Sequence, residues 1–323
     1  MRYFMGVDVG GTKCHALIAD ETGRVVGFGA SGPGSYEVIG WDGLRQALRT
    51  VTDRALADAG LAQEQIAGAG FGVAGYDWPS EHEPTRQAIE ALGLQAPYTF
   101  VNDTIIGLLA GVSQGWGVAV VAGTGCNCWG RDLKGREGRV TGCHYWFGEH
   151  GSGGGLVAWA VQAVALAWTM RGPATRLTEA LIEFTGASDV VDLLEGLALA
   201  RYYVSSAQAP LVFQVAAEGD AAAQEIVRRT GRELGSLAVG VIRQLGFEEL
   251  APEVVLCGSL YKGSPTVAEE MRATIQAVAP GARLVRLAAP PVVGGVLLGM
   301  EQVGMRPAPL RQTLIESTRE RLK

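Results

Sequence analysis

The chain reads as an α/β protein made of two related halves. Short apolar strand-like runs alternate with helical segments, the pattern of a largely buried sheet covered by helices. One strand–turn–strand block also recurs. The opening GVDVGGTKCHALIADETGRVV and the later VAVVAGTGCNCWGRDLKGREGRV share the layout strand, Gly/Thr turn, strand, polar turn, strand, with Gly10 and Gly123 at matching positions. At ~100–200 residues per domain, 323 residues suffice for about two, and the boundary is expected near Gly115, giving 1–114 and 115–323.

Each element follows from its residues. Tyr3 to Val9 and Cys14 to Ala19 are β-prone runs, and Glu21-Thr22-Gly23 turns into a third at Arg24 to Phe28. Trp41 to Ala59 spaces Leu44, Ala47, Leu48, Val51 and Ala55 along one helical face before Gly60 stops it. A buried strand at Ile66 to Val73, a helix from Glu83 to Leu92 and a strand at Tyr98 to Val101 follow. Asp103 then opens a helix to about Val112. The pattern restarts with strands at Val118 to Ala122, at Cys126 to Arg131 and near Val140. Gly155 to Leu245 is mostly helical. A strand at Val254 to Cys257, a helix from Thr266, a strand at Arg283 to Leu287 and a closing helix complete the second half. Pro309 to Lys323 is expected to be a last surface helix, with the option of packing back on the first half.

Composition narrows the function classes. Charged residues make up 19% and hydrophobic residues 48%, which excludes a disordered chain. The net charge of −6 argues against a nucleic-acid partner, which needs a basic stripe. Five cysteines are too few and too odd for a disulfide scaffold and point to a reducing, cytoplasmic setting. The longest apolar stretch, around Leu156 to Met170, is too short to span a bilayer, so no membrane role is expected. Glycine is in excess, 46 residues, about twice the usual ~7% share, and no G-x-y period accounts for it. It should mark tight turns and places where backbone approaches something closely.

The chemistry concentrates in two glycine-rich turns. Asp8-Val9-Gly10-Gly11-Thr12-Lys13 joins two strands without bulk and can present consecutive N–H groups to an anion. Asp8 can hold Mg²⁺ through water, while Thr12 and Lys13 reach phosphate oxygens. Gly123-Thr124-Gly125 repeats the device, and two such hairpins can grip a triphosphate from both sides of a cleft. Rival motifs fail on context. Gly70-Phe71-Gly72-Val73-Ala74-Gly75 fits G-x-G-x-x-G, but Tyr76-Asp77-Trp78-Pro79 stands where a dinucleotide-binding helix should begin. Gly111-Val112-Ser113-Gln114-Gly115 lies between helix and strand, the reverse of a nucleophile elbow. There is no P-loop. Cys126, Cys128, Cys143 and His144 lack zinc-site spacing and read as small buried thiols plus an isolated histidine.

Together, GVDVGGTK, VNDTIIG, VVAGTGCNCWG and VLCGSLYKGSP resemble the sugar-kinase/actin-like superfamily, and within it the N-acetylglucosamine kinases of the BadF/BadG-type ATPase family. The resemblance spans residue 4 to about 300. It implies two ribonuclease-H-like (actin-like ATPase) domains with a cleft between them that closes on ATP and a sugar. It also implies an ATP- and Mg²⁺-dependent kinase acting on the primary hydroxyl of an amino sugar, N-acetylglucosamine or glucosamine, in a homodimer. By position, Gly10, Gly11, Thr12 and Lys13 match the first phosphate loop and Gly123, Thr124 and Gly125 the second. Gly258, Ser259 and Ala216 match the nucleotide side, and Glu233 and Gly235 lie on the helix expected to line adenine. Asp103 matches the catalytic base. Ser35, Asn102, Cys126, Asn127, Tyr145, Trp146 and Glu149 are expected at the sugar. Ser35 stands where the family often has Asn, and Gly148-Glu149-His150-Gly151-Ser152 replaces the usual G-D-E-G-S, so the departures fall at the sugar end. The same family contains ATP-hydrolysing activators of radical dehydratases, which carry an iron–sulfur cluster; Cys126 and Cys128 inside the phosphate hairpin would set cluster against nucleotide.

Overall fold

In a computed structural model, which describes residues 1–321, the chain forms two five-stranded mixed sheets with helices around them. The side chains of His144 and Tyr145 lie outside the described residues, and with them the expected sugar contact of Tyr145. The first sheet is ordered β3-β2-β1-β4-β5, from β1 (Tyr3–Val9), β2 (Cys14–Asp20), β3 (Val25–Ser31), β4 (Ile66–Val73) and β5 (Tyr98–Asn102). The second is ordered β10-β9-β6-β7-β8, from β6 (Gly117–Ala122), β7 (Cys126–Arg131), β8 (Glu137–Arg139), β9 (Glu253–Cys257) and β10 (Arg283–Arg286). Equating β6 with β1 and counting on makes the two orders identical. In each sheet the first three strands are antiparallel and the last two run parallel to the first. The repeated sequence block is therefore a repeated topology.

Helices follow the sequence pattern with instructive differences. The helix expected from Trp41 begins earlier: α1 (Tyr36–Ala59) is broken at Gly40, whose φ of 70° is left-handed, and αL Gly60 ends it. Then come α2 (His82–Glu90) and α3 (Asp103–Gly111), while the helical stretch of the second half resolves into α4 (Gly153–Trp168), α5 (Leu177–Thr185), α6 (Val190–Ala198), α7 (Ala209–Ala217) and α8 (Ala221–Leu245). After these come α9 (Pro265–Gln276), α10 (Val292–Glu301) and α11 (Arg311–Arg321).

The glycine excess has a structural use at α10. This helix lies on β1 and β4, and its backbone is in direct contact with theirs. A Cβ on Gly6 would come within 2.3 Å of Val296 N, and one on Gly70 within 2.3 Å of Gly295 O. α3 runs beside α10, where Gly294 leaves no room for a side chain against Ile106 O. α11 is not a bare surface helix. Leu314 and Thr318 are fully buried, and the Ser317 hydroxyl accepts the Val25 amide of β3 at 2.9 Å. No helix among the described residues is long and apolar enough to cross a membrane.

Candidate active site

Parallel pairing sets the carboxyl ends of the strands side by side, which is where open α/β sheets place ligands. In the first sheet Val9 pairs with Val73, and Val73 with Asn102, so Asp8, the loop after β4 and Asp103 share one edge. In the second, Val121 pairs with Cys257, which brings Gly123–Gly125 beside Gly258 and Ser259. Gly258 has a φ of 105°, and a Cβ there would lie 2.2 Å from Ala122 O, so only glycine lets β9 turn against β6.

The first hairpin is tight. Gly10 N–H donates to Lys13 O at 3.0 Å, and Gly10 O accepts from Gly34 N–H and Ser35 N–H. Gly11, Thr12 and Lys13 are exposed at its tip, and the N–H groups of Gly11 and Thr12 have no partner among the described residues. Gly11 does not need to be glycine for the turn: its φ is not left-handed and a Cβ there meets nothing within 4 Å. In the second hairpin Gly123 N–H donates to Gly125 O, and Thr124 is the exposed tip. The start of α4 is tied to it, since Gly153 N–H donates to Gly123 O at 2.8 Å and Gly154 N–H to Thr124 O at 3.3 Å.

Between the hairpins stands a group of carboxylates. Burial pushes Asp103 up to about 7, with the charges of Asp8 and Asp77 adding to the rise. Asp8 is likewise raised to about 7 by burial, against the pull of the Lys13 ammonium. Asp77 is raised to about 6 by burial, offset in part by its hydrogen bond from Asn127. The helix N-cap of α3 is Asn102, whose Oδ1 accepts Thr104 N–H at 2.9 Å, so the Asp103 carboxyl is not needed as a cap.

The expected sugar residues divide into two groups. Ser35 is 2% exposed and Glu149 4%, and each carries a buried oxygen, Ser35 Oγ and Glu149 Oε2, with no hydrogen-bond partner among the described residues. Ser35 is tied to the first hairpin through Gly10 O, and the Glu149 carbonyl accepts the Cys126 thiol beside the second. Glu149 Oε1 is fixed by the Thr141 amide and hydroxyl, both at 2.7 Å. Asn102 and Asn127 are engaged differently. Asn102 Nδ2 donates to Tyr76 O and to Asp77 Oδ1, and Asn127 Nδ2 reaches the same oxygen at 3.3 Å while its Oδ1 accepts Cys128 N–H. Both ends of the Asn102 and Asn127 amides are thus in use, tying the Asp77 carboxylate to the start of α3 and to β7.

Of the remaining expected residues, Ala216 and Gly235 are packed inside the second half, and Trp146 is not buried. Trp146 is 81% exposed at the surface. Ala216 is buried in the core of the second half, its carbonyl accepting Gly219 N–H and Gln224 Nε2. Gly235 faces α9, where a Cβ would meet Thr274 at 2.7 Å, so it serves close helix packing instead of an adenine wall. Cys126 is buried and its thiol pushed up to about 12 by burial, so it packs and positions Glu149 without reacting. Sequence reasoning missed Asp77, which joins Asn102 to Asn127 across the two halves. Its only signal was the failed dinucleotide motif that ends at Gly75.

The model of the BadF/BadG/BcrA/BcrD ATPase family matches residues 5–299. The chain belongs to that family. It is 23% identical over 305 residues to the N-acetylmuramic acid/N-acetylglucosamine kinase of Clostridium acetobutylicum, covering 94% of this chain and 99% of the relative. It is 30% identical over 247 residues to the glucosamine kinase GspK of Vibrio cholerae, covering 72% and 78%. Among solved structures, one from Chromobacterium violaceum superposes with a TM-score of 0.64 at 24% identity, over 92% of this chain and 99% of that one. The chain also shares its fold with a ROK family glucokinase from Streptomyces griseus, with a TM-score of 0.56 at 20% identity over 93% of this chain and 99% of that one.

Proposed function

We propose that the chain is an ATP-dependent kinase for the primary hydroxyl of an amino sugar, with the first sheet and the α10 and α11 helices packed on it closing against the second sheet and its helices on the two substrates. The observation that carries this is the pair of buried, unpartnered oxygens, Ser35 Oγ beside the first phosphate hairpin and Glu149 Oε2 beside the second. Buried polar atoms are almost always hydrogen-bonded, so two left open, one beside each phosphate hairpin, fit a polyhydroxylated ligand. The amino-sugar kinases among the relatives point the same way.

Phosphoryl transfer needs positioning and charge neutralisation more than covalent chemistry. The N–H groups of Gly11 and Thr12 and the hydroxyl of Thr124 are placed to meet phosphate oxygens. Asp103 takes the proton from the acceptor hydroxyl, and its raised basicity suits that task near neutral pH. Asp8 fits a Mg²⁺ held through water, because two neighbouring carboxylates of raised pKa with one lysine as counter-charge leave negative charge uncompensated. When bound, Mg²⁺ supplies charge neutralisation at the phosphates. Cys126 and Cys128 lie buried on one face of β7, away from any surface where a dimer could share a cluster, which disfavours the dehydratase-activator alternative.

The test is sugar affinity in Ser35→Ala and Glu149→Gln. Each should raise the sugar KM by about tenfold or more while moving the ATP KM less than about threefold. Equal losses for both substrates would remove these residues from the sugar pocket.

A further inference from the structure

Beyond the candidate sugar site, a cavity of about 660 Å³ opens between the two halves, within the ~300–1,000 Å³ usual for small-molecule sites. The first half contributes Tyr76, Asp77 and Trp78, and the second Trp129, Glu137 and Arg139. Its position relative to the first site is set by β7. Asn127 and Trp129 stand on the same face, two residues and so roughly 7 Å apart, with Trp129 further from the phosphate hairpin. Asp77 borders both spaces, since its Oδ1 accepts from Asn127 and it also lines the cavity.

The donors in this cavity are incompletely satisfied. Trp129 is 5% exposed, and its Nε1 has no hydrogen-bond partner among the described residues. Arg139 pairs with Trp129 across the β7–β8 ladder, and its Nη1 is also buried without a partner. The guanidinium lies 4.8 Å from the Trp78 ring centroid and 5.3 Å from that of Trp129, which fixes its plane without using its hydrogens. Gln244, the remaining amide in the wall, is occupied at both ends by the Arg139 backbone.

The wall carries both signs of charge, Arg139 beside Asp77 and Glu137, and so offers donors and acceptors side by side next to aromatic rings. That mixture suits a sugar ring: its oxygens can accept from Trp129 and Arg139, its hydroxyls can donate to the carboxylates, and its C–H face can lie on an aromatic wall. Trp78, 38% exposed, supplies such a wall. Resting on the kinase reading above, we infer that this cavity is a second sugar-ring subsite, so that the protein accepts a glycosidically extended amino sugar as well as the monomer.

The experiment compares N-acetylglucosamine with its β-1,4-linked dimer in the full-length protein, by calorimetric binding and by kcat/KM. The dimer is expected to bind at least as tightly as the monomer and to be phosphorylated with kcat/KM within tenfold of it. Trp78→Ala should weaken dimer binding at least tenfold and monomer binding less than threefold, with Trp78→Phe restoring the dimer. Arg139→Met should act on the dimer in the same sense. A monomer that is a substrate beside a dimer that is excluded overturns this inference and leaves the kinase reading standing, as does an equal loss for both sugars in Trp78→Ala. No binding of either sugar overturns the kinase reading and this inference with it.

Discussion

Asp103 carries both the proposed chemistry and an electrostatic liability. Its carboxyl and those of Asp8 and Asp77 share a cleft edge, and burial raises all three. A carboxyl whose folded pKa lies near 7, above an unfolded value of 3.8, holds its proton more tightly when folded. Stability then falls as pH rises through the window from about 4 to 7. Asp103→Asn should therefore raise Tm by about 2–5 °C at pH 8 and by little at pH 4. The same variant should lose about 10²-fold or more in kcat, because Asn keeps the shape and removes the base. A Tm shift with near-normal turnover would contradict the assignment. The place of Asp103 at a strand-to-helix junction was legible in the sequence, while its role as base rests on the family resemblance. Asp77 was not legible: its role rests on two asparagines from different halves that only the folded chain brings together.

At the scale of elements, the two hairpins were readable because strand–glycine–strand spacing dictates their form whatever surrounds them. The fold places no demand on Gly11, whose Cβ would meet open space. Gly11→Ala should therefore leave Tm within about 1 °C yet raise the ATP KM about tenfold or more, because the methyl group intrudes where phosphate approaches. A large drop in Tm would show that the glycine serves the turn after all. The segment from Thr141 to Gly148 gave less away, since a loop with a short 3₁₀ turn has no periodicity to read. α8 and α9 show the opposite failure, in which a helix was recognised and its buried face misjudged. Gly231 and Gly235 let α9 sit directly on α8, where added Cβ atoms would come within 2.7 Å of Glu270 and Thr274 side chains. Gly235→Val should destabilise the second half by about 1–3 kcal/mol, measured as a lower midpoint in urea.

The whole molecule is more interleaved than two consecutive halves suggest. α10 returns to complete the first sheet through glycine contacts, and α11 then covers β3, burying Leu314 and Ile315. Two buried aliphatic side chains stabilise by about 1.5–3 kcal/mol each. Deleting residues from 309 onward should therefore lower Tm by several degrees, whereas a helix merely resting on the surface would leave it unchanged. The return also brings α10 and Leu287 against α3, the helix whose first residue is the proposed base. The central claim is transfer of the ATP γ-phosphoryl group to a primary sugar hydroxyl. Its most direct test is proton-coupled ³¹P NMR of the reaction with ATP, Mg²⁺ and N-acetylglucosamine or glucosamine. The account predicts a new phosphomonoester signal split by the two protons of a methylene carbon, absent in Asp103→Asn. Inorganic phosphate alone, or a phosphate coupled to a single anomeric proton, would contradict it.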